Sequence, residues 1–307
     1  MKPRIVVVGS LNADLVQRID RLPRPGETLT GSELRIISGG KGANQAYAAS
    51  LLGGRVSMLG QVGSDAFGPL LIASLERAGV DTANILAIEG ATGTAGIFVL
   101  PAGENIIILS AGANGTLSPA AIREPLKTLA ADSLLLVQLE VPLATTEFAL
   151  RMARERGAIT ILDPAPAQTL PAKLCALVDY LTPNQTEAAL LLGSTEEIES
   201  YERAEAAARK LLALGPQNVI LKLGALGVVV ANSRGCERVP GFPVQAVDTT
   251  AAGDTFNAAF AVALGEGKPP LAAARFANAA ASISVTRPGA QSSIPQRAEV
   301  DQLLSVK

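Results

Sequence analysis

Histidine and tryptophan are both absent from this chain of 307 residues. Without histidine, the chain cannot form a Ser-His-Asp triad, a histidine base or a histidine metal site, so any general base must be a carboxylate, Lys, Tyr or Cys. Aromatic residues make up only 3% of the sequence, which argues against a surface for stacking nucleic-acid bases. There are only two cysteines, Cys175 and Cys236, so we expect no disulfide framework and a cytoplasmic location.

Charge and long apolar runs are also scarce. Charged residues make up 18% of the sequence, the net charge is −2 and no basic stripe occurs, so nucleic acid is not an expected partner. The apolar runs are short and interrupted, so we expect neither a membrane span nor a membrane partner. The first residues are too short a stretch for a signal peptide. A hydrophobic content of 48% is typical of a globular protein, with one large α/β domain or two smaller ones.

Strand-like and helix-like segments alternate along most of the chain. The run Ile5–Val8 is continuously apolar, and the runs Leu134–Leu139 and Ile159–Leu162 are largely so, as expected of strands buried on both faces. Segments with helical spacing lie between them, for example at 143–156 and 202–214. This alternation predicts an α/β fold with a largely parallel sheet.

Two strand-like runs near the middle of the chain lack a helix between them. Thr94–Leu100 and Ile106–Ser110 are joined by a short turn containing Pro101 and Gly103, which predicts a hairpin. The stretches at about 12–37 and 92–113 would together form a small separate sheet. Such a sheet is a candidate lid over a binding site.

The stretch from Val247 to Phe256 carries the strongest functional signal. Small residues, Ala251, Ala252 and Gly253, stand at the start of a predicted helix, where free backbone N–H groups favour an anion such as phosphate. Asp254 follows in the first turn, where a carboxylate would repel that anion unless it had a task such as taking a proton from an attacking hydroxyl. The alternative is that Asp254 or Asp248 only caps the helix.

Two polar motifs near the start of the chain are candidates for ligand binding. Asn12 and Asp14 are two residues apart and would share one face of an extended segment, where they would hold adjacent hydroxyls of a small ligand. Ordinary turn chemistry is the alternative. The run 38–46 (SGGKGANQA) is not a Walker A loop, but its glycine pair before a helix would let a polar ligand lie on the backbone beside Asn44. A glycine-rich turn without a ligand is the alternative.

Further polar residues follow the predicted strands. Glu140, Asp163 and Asn184 each come just after a strand, where parallel sheets bind ligands. Asn184 and Glu187 would face one side of a helix start, either as a polar pair near a hydrated metal and phosphates or as a capping box. Lys222, before Gly224 and Gly227, is either a phosphate partner or an exposed cation at a strand end.

In order along nearly the whole chain, these motifs resemble the ribokinase-like sugar kinase family. The block at 248–254 (DTTAAGD) marks the broad family, while the motifs at 12–14 (NAD) and 39–46 (GGKGANQA) are closer to ribokinases than to fructokinases or adenosine kinases. The stretches at 183–187 (PNQTE) and 286–291 (TRPGAQ) add to the resemblance.

The resemblance implies one α/β/α kinase domain over residues 1–307, with a mostly parallel central sheet flanked by helices and a small β lid that forms a homodimer contact. ATP would phosphorylate the 5-hydroxyl of ribose, with Asp254 as the base and Ala251, Ala252 and Gly253 as the anion hole. The implied sugar-binding residues are Asn12, Asp14, Gly40, Lys41, Gly42, Asn44, Glu140 and Asp254. Those near Mg²⁺-ATP are Asn184, Glu187, Lys222, Gly224, Gly227, Gly253 and Asn278. An activating K⁺ would be held, mostly through backbone oxygens, by Asp248, Thr250, Ser284, Arg287, Gly289 and Ser293.

The chain also departs from the family pattern. Lys222 stands where many members have Thr, Ser292 where Pro is usual, and Tyr47 where Val or Ala is frequent. Two alternative functions are a kinase for another furanose or a nucleoside, and a sugar-binding regulator without catalysis. The scarcity of aromatic residues for a base-binding wall counts against a nucleoside, and the retention of Asp254 counts against the regulator.

Overall fold

The computed structural model describes residues 2–101 and 104–306, which form thirteen strands and ten α-helices. The strands are β1 (Arg4–Val8), β2 (Asn12–Arg18), β3 (Arg35–Gly39), β4 (Arg55–Gly63), β5 (Asp81–Ile88), β6 (Gly93–Val99), β7 (Asn105–Ser110), β8 (Ser133–Val137), β9 (Ile159–Leu162), β10 (Tyr180–Leu181), β11 (Asn218–Lys222), β12 (Gly227–Asn232) and β13 (Gly235–Pro240). The helices are α1 (Lys41–Leu51), α2 (Phe67–Arg77), α3 (Pro119–Leu126), α4 (Leu143–Glu155), α5 (Ala172–Cys175), α6 (Gln185–Leu191), α7 (Tyr201–Leu212), α8 (Ala252–Gly265), α9 (Pro270–Ser284) and α10 (Arg297–Ser305).

The larger of two sheets has nine strands in the order β13-β12-β11-β10-β9-β8-β1-β4-β5. The strands from β11 to β5 in this order are parallel to their neighbours, whereas β12 and β13 pair antiparallel at one edge. From β1 the chain proceeds to β4 and β5 on one side and later returns to β8 on the other side. The strand order therefore reverses beside β1, and open α/β sheets bind ligands at the carboxyl ends of strands near such a reversal.

Alternate residues of the central strands pack into two cores on opposite faces of this sheet. Along β8, Leu134 and Leu136 belong to the core that α1, α2, α8, α9 and α10 cover. Leu135 and Val137 belong to the core that α3 to α7 cover. The predicted arrangement of a mostly parallel sheet between two helical layers is therefore confirmed, and it follows from the side-chain alternation of a strand buried on both faces.

The second sheet has four strands in the order β3-β2-β6-β7. The predicted hairpin is formed by β6 and β7, and β2 joins β6 in parallel while pairing antiparallel with β3. The small separate sheet is therefore confirmed, although β3 extends to Gly39, beyond the predicted end at Ile37. Within the predicted hairpin turn, Ala102 and Gly103 lie outside the described residues.

The strand predicted before Asn184 is short. Within the segment 178–181, only Tyr180 and Leu181 pair with their neighbours. The Val178 N–H donates instead to the carbonyl of Cys175, in the turn that follows α5. None of the helices in the described ranges is long and apolar enough to cross a membrane.

Candidate active site

Helix α8 begins at the predicted anion-binding turn and has no side-chain cap. Its preceding residue, Ala251, has φ 58° and is the one non-glycine residue with a left-handed backbone in the part of the chain described. This conformation costs an L-residue about 1–2 kcal/mol, and such strain is concentrated at functional sites. Ala251, Ala252 and Gly253 line a cavity of about 930 Å³, so the uncapped helix start borders a space large enough for a nucleotide.

Asp254 is buried in the first turn of α8, where its side chain is held by two consecutive residues of α1. Asn44 Nδ2 donates to Asp254 Oδ2 at 3.0 Å, and Gln45 Nε2 donates to Asp254 Oδ1 at 3.1 Å. Burial raises the pKa of Asp254 to about 6, with Asp163 adding to the effect, while Lys41 and the two amides oppose it. The carboxylate is therefore fixed in orientation and more basic than an ordinary aspartate.

Lys41 is the cation whose charge acts on this carboxylate. Burial alone would lower the pKa of Lys41, but the charges of Asp254, Asp163, Glu140 and Glu187 raise it above its usual value. The ammonium group therefore stays charged at neutral pH. It lines the same cavity as Asp254 and Asp163.

A cluster of polar side chains lies where β1 and β8 end. Glu140 Oε2 accepts from Ser10 Oγ at 2.5 Å, from Asn12 Nδ2 at 3.3 Å and from the Lys41 N–H at 3.2 Å. Asn114 Nδ2 donates to Asn12 Oδ1 at 2.7 Å. The side chains of Asn12 and Glu140 are therefore held together from three separate elements, which makes a rigid polar site.

Asp14 extends this polar cluster along β2. It is only 9% exposed, and no group in the described chain donates a hydrogen bond to its carboxylate. Burial first, and then the charges of Glu140 and Asp254, raise the pKa of Asp14 to about 7. A buried acceptor without a donor is costly, so Asp14 is suited to accept a hydrogen bond from a ligand hydroxyl.

The glycines of the second motif have structural reasons to lack a side chain. Gly40 has φ 90°, and a Cβ there would lie 2.7 Å from the Asn12 backbone nitrogen. A Cβ on Gly42 would lie 2.7 Å from the carbonyl carbon of Gly9, because α1 approaches the end of β1 closely. A Cβ on Gly39 would collide with the Asp14 carboxylate at 2.1 Å. These glycines therefore bring α1, β1 and β2 together around the polar cluster.

Asn184 and Glu187 form a capping box at the start of α6. Asn184 Oδ1 accepts from the Glu187 N–H at 2.8 Å, and Glu187 Oε2 accepts from the Asn184 N–H at 2.7 Å. The capping box that one alternative predicted is therefore present. Both residues also line the cavity, so capping does not exclude a role in ligand binding. Burial raises the pKa of Glu187, although Lys222 lowers it.

Lys222 is not the exposed cation at a strand end that one alternative described. Its side chain is 12% exposed, and Nζ pairs with Asp163 Oδ1 at 3.2 Å. Gly224 and Gly227, both with positive φ, flank the short turn after β11 and line the cavity. Asn278, on α9, lines it too and donates to the carbonyl of Val239 at 3.1 Å.

Asp248 joins the loop before α8 to the loop after α9. Its Oδ1 accepts from the Thr250 N–H at 2.9 Å, and its Oδ2 accepts from the Gly289 N–H at 2.8 Å. Burial alone would raise the pKa of Asp248, but these hydrogen bonds lower it below its usual value. The Ser284 hydroxyl donates to the Ala281 carbonyl within α9, the Ser293 hydroxyl donates to the Ala290 carbonyl, and Arg287 pairs with Glu299. The two predicted cation-binding segments therefore lie together.

Comparison with known proteins identifies the family of this site. The model of the family described as pfkB family carbohydrate kinase matches residues 2–297. The chain belongs to the pfkB family of carbohydrate kinases. A ribokinase of Haemophilus influenzae is 44% identical over 305 residues, covering 99% of both chains. A deoxyribokinase of Salmonella typhi is 36% identical, covering 98% of this chain and 99% of its own. The structure of Arabidopsis thaliana ribokinase complexed with ribose and ATP is 36% identical, with a TM-score of 0.90 and 99% of both chains covered.

Several residues of this carbohydrate kinase site were not assigned a role from the sequence. Ser10 and Asn114 hold the polar cluster, and Gln45 links Asp254 to Asp163 through a bond of 3.0 Å to Asp163 Oδ2. Gln138 Nε2 donates to Gln45 Oε1 at 2.7 Å. Gln45 lies within the motif at 38–46 and Asp163 follows a predicted strand, so the sequence pattern could have indicated a role for both. No local sequence pattern indicated a role for Asn114, because its partner Asn12 is 102 positions away.

Proposed function

We propose that this carbohydrate kinase transfers the γ-phosphate of ATP to the 5-hydroxyl of D-ribose. The observation that carries the proposal is the buried carboxylate of Asp254 at the uncapped start of α8, between a polar cluster and the cavity of about 930 Å³. The ribokinase of Haemophilus influenzae, 44% identical, and the Arabidopsis ribokinase complexed with ribose and ATP support this substrate pair.

The polar cluster beside Asp254 would bind the sugar. Asn12, Asp14 and Glu140 offer fixed acceptors, and the first turn of α1 contributes Gly40, Lys41, Gly42 and Asn44. Because Asp14 has no protein donor in the described chain, a ring hydroxyl would satisfy it. Asn44 donates to Asp254, so it would orient the base and the sugar together.

In the reaction, the sugar hydroxyl oxygen attacks the γ-phosphorus as its proton passes to an Asp254 carboxylate oxygen. The bond between that phosphorus and the β,γ-bridging oxygen breaks, and ADP leaves with the electron pair. Phosphoryl transfer depends chiefly on positioning and on stabilising the charge of the transferring oxygens. Of the turn formed by Ala251, Ala252 and Gly253, the amides of Ala251 and Gly253 would supply that stabilisation, because the helix N-terminus attracts negative charge, whereas the Ala252 N–H donates to the Thr249 carbonyl at 3.2 Å.

The other part of the cavity would hold the nucleotide. Asn184, Glu187, Lys222, Gly224, Gly227, Gly253 and Asn278 all line it. The oxygens of Asn184 and Glu187 suit Mg²⁺, which usually takes few protein ligands and completes its coordination with phosphates and water. When bound, Mg²⁺ would neutralise phosphate charge. No three acidic or cysteine side chains of the described residues converge to hold a metal without the nucleotide.

A K⁺ ion would fit between the two loops that Asp248 joins. Oxygen ligands suit this hard cation, and the carboxylate of Asp248 together with carbonyls of Thr250, Ser284, Arg287, Gly289 and Ser293 would provide them. Since Glu299 neutralises the Arg287 guanidinium, that residue would act through its backbone. A cation there would stabilise the loop that carries the helix-start amides, without contact to the sugar.

The four-stranded sheet would act as a lid and as a dimer contact. Its edge strand β7 leaves Ile107, Ile108 and Leu109 between 46% and 62% exposed, and Leu34 and Ile36, at the opposite edge of the sheet, are about half exposed. Adjacent exposed apolar side chains are typical of an interaction surface. We therefore propose a homodimer through this sheet, and a sedimentation mass of a single chain would contradict it.

The substitution Asp254→Asn should lower turnover on ribose by roughly 10²- to 10⁴-fold, the usual size of a general-base contribution. Binding of ribose and ATP should change little, because asparagine keeps the size of the side chain and one acceptor oxygen. ADP release is measured with and without ribose, and binding by calorimetry. Asp132→Asn, at an exposed position, is the matched control. Turnover near that of the wild type would remove Asp254 from the mechanism.

Deoxyribose should be a poorer substrate than ribose, although deoxyribokinases are among the relatives. A sugar that lacks one hydroxyl leaves a buried polar group unpaired, which costs about 1–3 kcal/mol. Specificity constants for the two sugars measure this directly. Asp14→Asn should bring the two constants closer together, whereas Asp20→Asn at an exposed position should not. Equal constants in the wild type would favour the second candidate, a kinase with a broader or different pentose preference.

Replacing K⁺ by Na⁺ or by tetramethylammonium at constant ionic strength should lower turnover more than it weakens ribose binding. The ion would act on the turn that carries the amides of Ala251 and Gly253, which matter most as charge develops on the transferring group. The smaller Na⁺ would need the carbonyls to move inwards. Initial rates are compared in the three salts for the wild type and for Asp248→Asn, which should lose the dependence on the cation. An unchanged wild-type rate would reject the proposed cation site.

A further inference from the structure

Asp163, just after β9, is the buried carboxylate of the cavity that has no role in the mechanism above. It is 3% exposed, and its two oxygens accept from two different donors. Lys222 Nζ lies 3.2 Å from Oδ1, and Gln45 Nε2 lies 3.0 Å from Oδ2. Asp163 therefore joins β11 to α1 through one side chain.

The bond to Gln45 leads to the base. The same Gln45 Nε2 donates to Asp254 Oδ1 at 3.1 Å, so one amide group bridges the two carboxylates. Gln138 Nε2 donates to Gln45 Oε1 at 2.7 Å, which fixes the end of the amide that faces the carboxylates. The position of Gln45, and with it one oxygen of Asp254, depends on Asp163.

The bond to Lys222 leads to the start of α8. A Cβ added to Gly253 would lie 3.5 Å from Lys222 Nζ, so the ammonium group is close to the turn that would receive the transferred phosphate. A lysine side chain is long and flexible, and its charge has no fixed position unless a partner holds it. Asp163 is that partner, in an ion pair whose two side chains are 12% and 4% exposed.

We propose that Asp163 is a positioning residue for phosphoryl transfer. One of its oxygens holds the Lys222 ammonium beside Gly253, and the other holds Gln45 and, through it, the carboxylate of Asp254. The proposal rests on the proposed function of the site. In this arrangement, Asp163 sets the distance between the Asp254 carboxylate and the Lys222 ammonium group beside Gly253.

The chemistry of asparagine makes Asp163→Asn a specific test. An ionised carboxylate accepts on both oxygens, whereas an asparagine amide has one acceptor oxygen and one donor nitrogen. The substituted side chain could therefore satisfy Lys222 or Gln45, but not both. A displacement of about 1 Å at a reacting group costs up to roughly 10²-fold in rate.

Asp163 also affects the pH at which Asp254 ionises. The charged groups that face Asp254 are Lys41 on α1, Asp163 after β9 and Asp14 on β2. Asp163 acts to raise the pKa of Asp254, so its neutralisation should lower that pKa. The base must be ionised to work, so the acid limb of the rate profile should move to lower pH.

The experiment measures kcat, the KM values for ribose and ATP, and the pH profile of kcat/KM for the wild type and Asp163→Asn. We expect kcat to fall roughly 10- to 100-fold, the ribose KM to stay within about threefold, and the acid limb to move to lower pH. Asp179→Asn is the matched control, because Asp179 also holds a cation, with Arg154 Nη1 at 2.7 Å from its Oδ1, and accepts from Thr160. It lies before β10, at the other end of the strands, and should leave kcat and the acid limb unchanged.

A second variant, Lys222→Met, tests the other bond. It should raise the ATP KM and lower kcat, and Lys222→Arg should restore part of both. Because the two residues act together, the double variant should lose less activity than the product of the single losses. A kcat for Asp163→Asn like that of Asp179→Asn, or independent effects of Asp163 and Lys222, would overturn this inference alone. A wild-type protein without ribose-dependent ADP formation would instead reject the proposed function, and the inference with it.

Discussion

The charge of Asp254 is buried, and the arrangement of the site follows from what that charge requires. Removing a carboxylate from water is costly unless hydrogen bonds and opposite charge compensate for it. Here the compensation comes from Asn44 and Gln45, more than 200 positions away in sequence, and from Lys41 beside them. These two hydrogen bonds and one cation leave the Asp254 carboxylate ionisable but with a raised pKa, which is the condition that a general base near neutral pH needs.

The packing of α1 against α8 makes these contacts possible. Both helices contribute small buried residues to the same core, among them Ala43 and Ala46 on α1 and Ala258 and Ala259 on α8. Gly42 lets α1 approach β1, so its first turn reaches both the polar cluster and Asp254. Because β8, β9 and β11 run parallel in the sheet, their carboxyl ends bring Glu140, Asp163 and Lys222 to the same end of it. The fold therefore supplies positions, and the first turns of two helices supply most of the chemistry.

Local patterns predicted much of this structure. The apolar runs identified the buried strands, the missing helix between two runs identified the hairpin, and the small residues before Asp254 identified the start of α8. The polar pair Asn12 and Asp14 was correctly placed on a strand, because side chains two residues apart on a strand lie on the same face and this spacing is visible in the local sequence. Long-range contacts were not predictable in this way. The Lys222 side chain pairs with Asp163, 59 positions away, so its burial could not be inferred from its place at a strand end. The short length of β10 depends on the turn after α5, which competes for the Val178 N–H.

The central claim is that Asp254 is a buried carboxylate whose pKa is raised into the range of a working base. A ¹³C NMR titration of the aspartate carboxyl groups tests it most directly. The variants Asp254→Asn and Asp14→Asn would assign the resonances of the two carboxyl groups whose pKa values are raised. The account predicts a carboxyl that titrates near pH 6 in the wild type and is absent from Asp254→Asn. A resonance for Asp254 that titrates at about 4, as in an exposed aspartate, would contradict it.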